Sequence, residues 1–485
     1  MFEGTSSLIL PRNGEVARGD GGDPFFLSYF VYSVVGPLHH LRRSPSPFRG
    51  GIFAALLLAA LPLPAFAQDH SGHDMKQMPT ETSPETGVTQ IVIHTEKGLM
   101  PMRDAPMGSA ESSGTSRLPF ADGNMHSGLH LFSGDWMVMA HGYAWGVYTN
   151  QSGPRGDDKA YVQSMAMLNA QKETGWGRIQ LKSMLSLEPL MSNRGYPNLF
   201  ATGETAGGEA LVDRQHPHDL FMELAARVDV DISDSASIFL YGGPVGEPAL
   251  GPSAFMHRTS AKLNPEAPIT HHWFDSTHIT YGVVTAGVTT SKFQLEGSIF
   301  TGREPDERRW NIEKPRFDSW SARATWNPSP QWALQASHGR IKQPEFLIHP
   351  DEDEARTTAS VHYANGSGLT ATAAFSAKDR RPGPTLTAYL AEANWDIDDH
   401  HTLFGRIENV KNDELFPDEA DPLHETPFRV TKFQAGYAYR LPITGPLNLA
   451  LGGTVSAFAK PDALDIAYGK NPVGATVFAK LSLGH

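Results

Sequence analysis

From residue 135 to the C-terminus, apolar and polar side chains alternate in segments separated by turn-forming residues. In the segment KFQLEGSIF (292–300), Phe293, Leu295 and Ile299 share one face, and Gln294 and Glu296 share the other. Successive side chains of a β-strand point to opposite sides, so a period of two predicts strands with one apolar and one polar face.

We count sixteen such segments and take 14–16 strands as the range. They begin near residues 135, 160, 176, 219, 235, 279, 291, 318, 331, 355, 368, 385, 400, 428, 446 and 472. The connections between them alternate between long and short, as in outer-membrane barrels with short periplasmic turns and long extracellular loops. The sequence therefore predicts an all-β fold, a transmembrane antiparallel β-barrel whose long extracellular loops fold inward.

Closure of the sheet follows from the solvent, because every backbone amide in lipid needs a partner and a free sheet edge has none. A soluble β-sandwich or propeller would also alternate, but no repeat of blade length is visible. Aromatic residues near strand ends suit the interfacial girdles of a barrel. They are Trp136, Trp145, Trp310, Trp326, Trp332, Trp395, Tyr437 and Tyr439.

The N-terminal part of the chain has the layout of an export signal. Positive charge in HHLRRSPSPFRG (39–50) precedes the short apolar run GIFAALLLAALPLP (51–64) and the small-residue site AFA (65–67). This pattern predicts export with cleavage after Ala67, and together with the barrel pattern it predicts an outer-membrane location in a Gram-negative envelope. The predicted domains are an upstream extension and signal peptide (1–67), a disordered periplasmic leader (68–134) and the barrel (135–485).

Composition narrows the range of functions. The net charge is −13 and no long basic run appears, which argues against nucleic-acid binding. The absence of cysteine excludes disulfides, Cys-ligated zinc and thiol catalysis. The expected partners are outer-membrane lipid and small solutes or metal ions. Whether the chain also forms a homo-oligomer is left open by the sequence.

Soft metal donors follow the expected cleavage site. The segment DHSGHDMKQM (69–78) combines His70, His73, Met75 and Met78. Thioether sulfur suits Cu(I), and imidazole binds either copper state. The alternative is a polar leader in which these residues are incidental.

Two resemblances add to this interpretation. Residues 135–485 resemble bacterial outer-membrane β-barrel proteins of porin size, on strand pattern and loop rhythm. The His/Met segment resembles the leader of copper-resistance outer-membrane protein B over about ten residues, which implies a role in copper handling.

A second group of candidate ligands lies in the two longest loops. DRQHPHDL (213–220) carries His216 and His218, separated by Pro217, which favours an extended backbone before it. The next very long loop carries further histidines: His257, His271, His272 and His278. Three interpretations stay open: a copper or zinc site, a hydrolase site with Asp and Ser253 or Ser276, and a hydrogen-bonded plug.

We therefore predict an outer-membrane channel or transport-related barrel linked to copper or other heavy metals. It is not expected to be an enzyme, to have catalytic residues or to require a cofactor, and copper or zinc is the candidate ion. The alternatives are an outer-membrane hydrolase using the loop histidines and a non-conducting structural barrel.

Overall fold

The computed structural model describes residues 109–123 and 128–484, and nearly all of their regular structure is antiparallel β-sheet. Within these residues, sixteen long strands close into one barrel. The strands are β4 (Trp136–Gln151), β5 (Asp158–Thr174), β6 (Gly177–Leu185), β11 (Phe221–Ser233), β12 (Ala236–Gly246), β13 (Thr280–Thr290), β14 (Phe293–Phe300), β15 (Ser319–Trp326), β16 (Trp332–Ile341), β17 (Asp353–Ala364), β18 (Leu369–Arg381), β19 (Thr385–Asp396), β20 (His401–Asn412), β21 (Phe428–Thr444), β22 (Leu447–Ala459) and β23 (Val473–Leu483). The predicted sixteen-strand barrel is confirmed.

The remaining elements are short. The minor strands are β1 (Ser109–Glu111), β2 (Arg117–Pro119), β3 (Leu129–Ser133), β7 (Tyr196–Pro197), β8 (Glu204–Ala206), β9 (Glu209–Leu211) and β10 (Arg214–Gln215). The helices are α1 (His271–Phe274) and α2 (Asp465–Tyr468), together with single 3-10 turns at Phe120–Asp122, Glu188–Leu190, Phe255–His257, Thr259–Ala261, Ser276–His278 and Asp462–Leu464. No helix in the described part of the chain is long and apolar enough to cross a membrane.

The barrel closes where its last strand meets its first. Strand β23 pairs with β4 from Gly474 opposite Gln151 to Leu483 opposite Gly142. Strand β3 pairs with the beginning of β4, where Leu129 lies opposite Ala140. Strands β23 and β3 thus share the edge of β4 and leave little of it unpaired, as closure requires.

The two faces of the wall follow the sequence alternation. On β20, Leu403 and Ile407 point outward and are 44% and 50% exposed, whereas Arg406 and Glu408 point inward and are buried. Exposed aromatic residues lie near the short turns: Trp326, Trp332, Trp395, Tyr437 and Tyr439. The prediction for Trp145 is wrong, because its ring faces inward and packs on Phe478 at a centroid distance of 4.9 Å.

The two longest connections fold into the lumen, as predicted. They are the inward loops 186–220 and 247–279, between β6 and β11 and between β12 and β13. Their apolar residues Phe200, Trp273 and Phe274 are at most 2% exposed and pack with Tyr468. These apolar side chains are thus removed from water inside the barrel, as they would be in the core of a soluble protein.

A buried ion triad fastens the second inward loop to the wall. The guanidinium of Arg258 donates to Glu392 at 2.6 Å, and that of Arg406 donates to the same carboxylate at 2.8 Å. Arg258 also donates to Asp275 at 2.9 Å, within the loop. Because an unpaired charge in such a place is costly, this central ion triad holds the loop in one position.

The prediction of a disordered leader up to residue 134 is wrong for residues 109–123, which form a luminal hairpin of β1 and β2. Wall side chains donate hydrogen bonds to its backbone: Lys182 to the carbonyl of Gly114 and Gln294 to that of Thr115, both at 2.7 Å. Arg323 also donates to the Thr115 hydroxyl at 3.0 Å. The hairpin is polar, so its own composition does not indicate order, and its partners are supplied by distant strands.

Candidate metal centre

Five of the six loop histidines meet inside the barrel. Their neighbouring ring centroids lie 5.1–6.1 Å apart. We call them the histidine cluster: His216, His218, His271, His272 and His278. All five are buried, and they come from both inward loops.

Short local elements place these rings. His216 directly follows β10, whose two residues pair with β7 inside the first inward loop. His271 and His272 begin α1, and His278 ends the 3-10 turn Ser276–His278. These short elements bring histidines from the two inward loops together, although the two loops lie far apart in the sequence.

Three members of the cluster could bind one ion together. One ligand nitrogen each from His216, His271 and His272 lies within 4.8 Å of the others. Imidazole nitrogen is a good ligand for zinc and copper, and three such ligands leave a further position open on a tetrahedral ion.

Carboxylates orient two of the rings. The Nδ1 of His218 lies 2.9 Å from Oε2 of Glu188, which also accepts the His218 backbone N–H at 3.0 Å. The Nδ1 of His271 lies 2.7 Å from Oδ1 of Asp275. A hydrogen bond from Nδ1–H to a carboxylate is the usual support of a metal-binding imidazole, because it leaves the Nε2 lone pair for the ion.

Backbone carbonyls orient two more rings. The Nδ1 of His216 lies 3.1 Å from the carbonyl oxygen of Pro217, and that of His278 lies 2.7 Å from the carbonyl oxygen of Asp275. Among the described residues, the Nε2 atoms of His216, His218 and His278 are buried without a hydrogen-bond partner. Buried polar atoms normally find a partner, so these three nitrogens are ligand atoms that the protein itself does not use.

Burial decides the charge of most of the cluster. It lowers the pKa of His216 and His278 well below the ordinary histidine range, with neighbouring cationic groups adding to the effect. It also lowers the pKa of His271, although Asp275 works in the opposite direction. Neutral imidazole is the form that binds metal.

The other two rings have carboxylates strong enough to offset burial. Burial lowers the pKa of His218, but Glu188 outweighs it and the net shift is upward. Burial also lowers the pKa of His272, but Glu304 and Glu204 raise it to about 9. These two rings therefore hold protons more firmly than the rest of the cluster.

Acidic side chains border the cluster on the side of the long loops. Glu204 lies 3.3 Å from the Nε2 of His216, and Glu304 lies 3.3 Å from the Nδ1 of His272, neither with hydrogen-bond alignment. Glu204 is also held by Arg309 at 2.8 Å. Glu204, His272 and Glu304 form a second group with metal-ligand spacing.

The close packing of the His272 ring depends on one glycine. Gly203 has φ +105°, and a Cβ atom there would lie 2.4 Å from Cγ and Nδ1 of His272. Only glycine accepts both this backbone conformation and this approach.

The structure does not bring all predicted ligands together. His257 lies apart from the cluster. The centroid of its ring lies 6.4 Å from that of His141. His70, His73, Met75 and Met78 lie outside the described residues. The acidic partners Glu204 and Glu304 were missed, because the sequence offers only their position in long loops.

The residues named for a hydrolase do not form a triad. Ser253 contacts the hydroxyls of Ser112 and Ser113, and Ser276 accepts a hydrogen bond from Arg356. Within the described residues, neither serine hydroxyl is hydrogen-bonded to a ring of the histidine cluster. A serine nucleophile would need such a contact with its base.

Fold and site together define a closed, wide β-barrel with a polar lumen that is largely filled by its own loops. Solved structures of similar architecture include OmpF of Salmonella typhi in complex with daunomycin, at 7% identity and a TM-score of 0.47, covering 73% of this chain and 100% of that one. OprB of Pseudomonas putida has 12% identity and a TM-score of 0.47, with 72% and 94% covered. An anion-selective porin from Comamonas acidovorans has 11% identity and a TM-score of 0.44, with 72% and 99% covered. No protein-family model matches the sequence, and no curated protein is significantly similar to it.

Proposed function

We propose that this chain is an outer-membrane barrel that binds transition-metal cations, copper or zinc, in its lumen and passes them between the outside and the periplasm. The observation that carries the proposal is the histidine cluster, in which four of the five Nδ1 atoms are hydrogen-bonded and three Nε2 atoms are buried without a hydrogen-bond partner among the described residues. A plug that served only for rigidity would pair these nitrogens with each other or with the wall.

The outer surface supports the membrane location. Outward apolar side chains such as Leu295, Ile407 and Val455 are at least half exposed and recur around the wall. A water-soluble protein rarely leaves so extensive an apolar surface uncovered, whereas acyl chains would cover it.

An entry from the long-loop end is built from acidic groups. Glu204, Glu304 and Glu345 line a small cavity of about 40 Å³ among the long loops. Glu204 and Glu304 also contact the rings of His216 and His272. Carboxylates at this place would attract cations and deliver them to imidazole.

An exit leads toward the short turns. A cavity of about 340 Å³ is lined by Glu188 and His218 at its inner end and by turn residues Gly366 and Gly368 at its outer end. His218 therefore belongs to both the histidine cluster and this luminal cavity. An ion could pass from one set of ligands to the next without crossing an apolar barrier.

The leader fits the same function. His70, His73, Met75 and Met78 would capture copper on the periplasmic side, where the resemblance to copper-resistance proteins places such donors. The leader and the histidine cluster would then both offer imidazole ligands to the ion.

Metal uptake by vesicles tests the proposal. The purified full chain is placed in liposomes that contain a fluorescent chelator, and Zn²⁺ or Cu²⁺ is added outside. We expect rapid uptake by the wild type and at least a tenfold slower uptake by His216→Asn/His271→Asn. The matched control is His338→Asn, an exposed histidine on the outer face of β16.

Two results would overturn the proposal. One is uptake by the cluster variant at the rate of the control, and the other is absence of metal uptake by all three proteins. Heat-dependent migration in detergent gels, which distinguishes folded barrels from unfolded chains, checks that each protein has folded.

A further inference from the structure

A row of metal-binding side chains crosses three adjacent strands on the luminal face. In the register of the sheet, His141 of β4 lies opposite Met167 of β5, and Met167 lies opposite Met184 of β6. All three side chains face inward, because each residue stands at one of the alternate positions whose side chains point into the lumen. The closed sheet thus places one imidazole and two thioethers side by side in a row across three strands.

The second inward loop adds a fourth donor from above this row. His257 ends the 3-10 turn Phe255–His257, and its Nε2 lies 3.3 Å from the sulfur of Met184. The Nε2 of His141 lies 3.1 Å from the sulfur of Met167. We call this group the His/Met quartet: His141, Met167, Met184 and His257.

We propose that the His/Met quartet is a Cu(I) site, separate from the histidine cluster and with a different metal preference. All four donors are uncharged when they bind, and two of them are soft thioethers. Such a set favours a soft monovalent ion, Cu(I) or its analogue Ag(I), over Zn²⁺ or Cu²⁺, which prefer nitrogen and oxygen donors.

Within each nitrogen–sulfur pair, the separation agrees with that of two ligands of one ion, and the 6.4 Å between the ring centroids of His141 and His257 is the distance that the two pairs would have to close on binding. Two donors at about 2.0 and 2.3 Å from a tetrahedral metal lie about 3.5 Å from each other. The two nitrogen–sulfur separations, 3.1 and 3.3 Å, are within about half an ångström of that value. Small side-chain rotations would suffice to admit an ion, and methionine is flexible enough to allow them.

The quartet is accessible from the short-turn end. His141 and His257 both line the 340 Å³ luminal cavity that opens among the short turns. Met222 and Ile279 pack with the two methionines in an apolar cluster, and Met165 of the same cluster lines the cavity beside His141. An ion would therefore arrive from the cavity and meet soft donors in a setting of low polarity.

The alternative is a purely structural contact, in which N–H groups of the rings donate weakly to sulfur. Leucine distinguishes the two cases, because it fills nearly the same volume as methionine but has no donor atom. A structural contact predicts a small change in stability and no change in metal binding.

Equilibrium binding of Cu(I) tests the proposal. The background is the full chain with its leader donors silenced by His70→Asn, His73→Asn, Met75→Leu and Met78→Leu. Cu(I) is kept reduced with ascorbate and competed with bicinchoninate, and Ag(I) titration calorimetry provides a redox-inert repeat. We expect one high-affinity equivalent with sulfur in its X-ray absorption spectrum.

Two leucine pairs complete the test. Met167→Leu/Met184→Leu should weaken Cu(I) binding at least tenfold and remove the sulfur signal. Met165→Leu/Met222→Leu, which replaces neighbouring buried methionines outside the quartet, should bind as the background does. If the first pair fails to fold, Met184→Leu alone and His257→Gln are measured instead.

Equal Cu(I) affinity in both leucine pairs, or no Cu(I) equivalent in the background, would overturn this proposal. Neither result affects the transport proposal, which depends on uptake through the histidine cluster. Conversely, a quartet that binds Cu(I) in a protein that transports no metal would leave the site standing and remove the transport function.

Discussion

A single arginine on the outer wall tests whether the barrel lies in lipid. In Ile407→Arg, a charge replaces an apolar side chain that is 50% exposed on the outside of β20. In Leu403→Arg, the same charge is placed on the same face of the same strand, four residues closer to the short turns. Leu403 lies opposite Trp395 and Tyr437, whose exposed rings mark the interface.

The geometry sets the expected difference. Ile407 is four residues beyond Leu403, or about 14 Å along a strand at about 3.4 Å per residue. With a tilt of about 40°, this becomes about 10 Å along the membrane normal, near the middle of an apolar band about 25 Å tall. Arginine costs about 2–4 kcal/mol at the midplane and about 0–1 kcal/mol near the interface.

The measurement is the free energy of unfolding in phospholipid vesicles, followed by tryptophan fluorescence in guanidinium chloride. We expect Ile407→Arg to be less stable than Leu403→Arg by about 2–3 kcal/mol. Equal stability of the two variants would refute the placement of Ile407 in lipid. A wild type that stays folded and monodisperse in water without detergent would refute it as well.

Three further predictions concern the lumen. Gly203→Ala should displace His272 and weaken zinc binding at least tenfold in competition with a chromophoric chelator, whereas Gly207→Ala, with φ +70° but open space around it, should bind as the wild type does. Burial raises the pKa of Asp213 to about 6, so its stabilising contribution is fully present below pH 3.8 and is lost as the pH rises through about 6. Unfolding measured from pH 4 to 7 should therefore show the wild type losing about 2 kcal/mol relative to Asp213→Asn, and a constant difference would contradict this. Glu392→Gln should lower the free energy of unfolding by about 3–5 kcal/mol, because two buried arginines of the central ion triad lose their shared partner, and a loss below about 1 kcal/mol would show that the triad is hydrated.

The candidate site was only partly predictable. The length of the two loops that carry the candidate histidines predicted that the loops fold inward, and it left open which of the histidines meet. It did not indicate that His257 would separate from the others. That outcome depends on Arg258, the next residue, which the wall carboxylate Glu392 holds in place.

The ordered luminal hairpin was not predictable from its own residues. Residues 109–123 have few apolar side chains, and a segment of this kind normally cannot bury enough surface to fold. Its order comes from hydrogen bonds with Lys182, Gln294 and Arg323, which belong to strands far along the chain.

The amino-acid sequence by itself determined the strands, their inward and outward faces and the alternation of long and short connections. These features have a local cause, since a strand shows its two faces at a period of two and a turn is marked by its own residues. Only the tertiary structure decided which side chains lie side by side on neighbouring strands and which positions the inward loops take in the lumen. The row of His141, Met167 and Met184 exists because closure fixes the register of three strands, and register depends on the whole sheet.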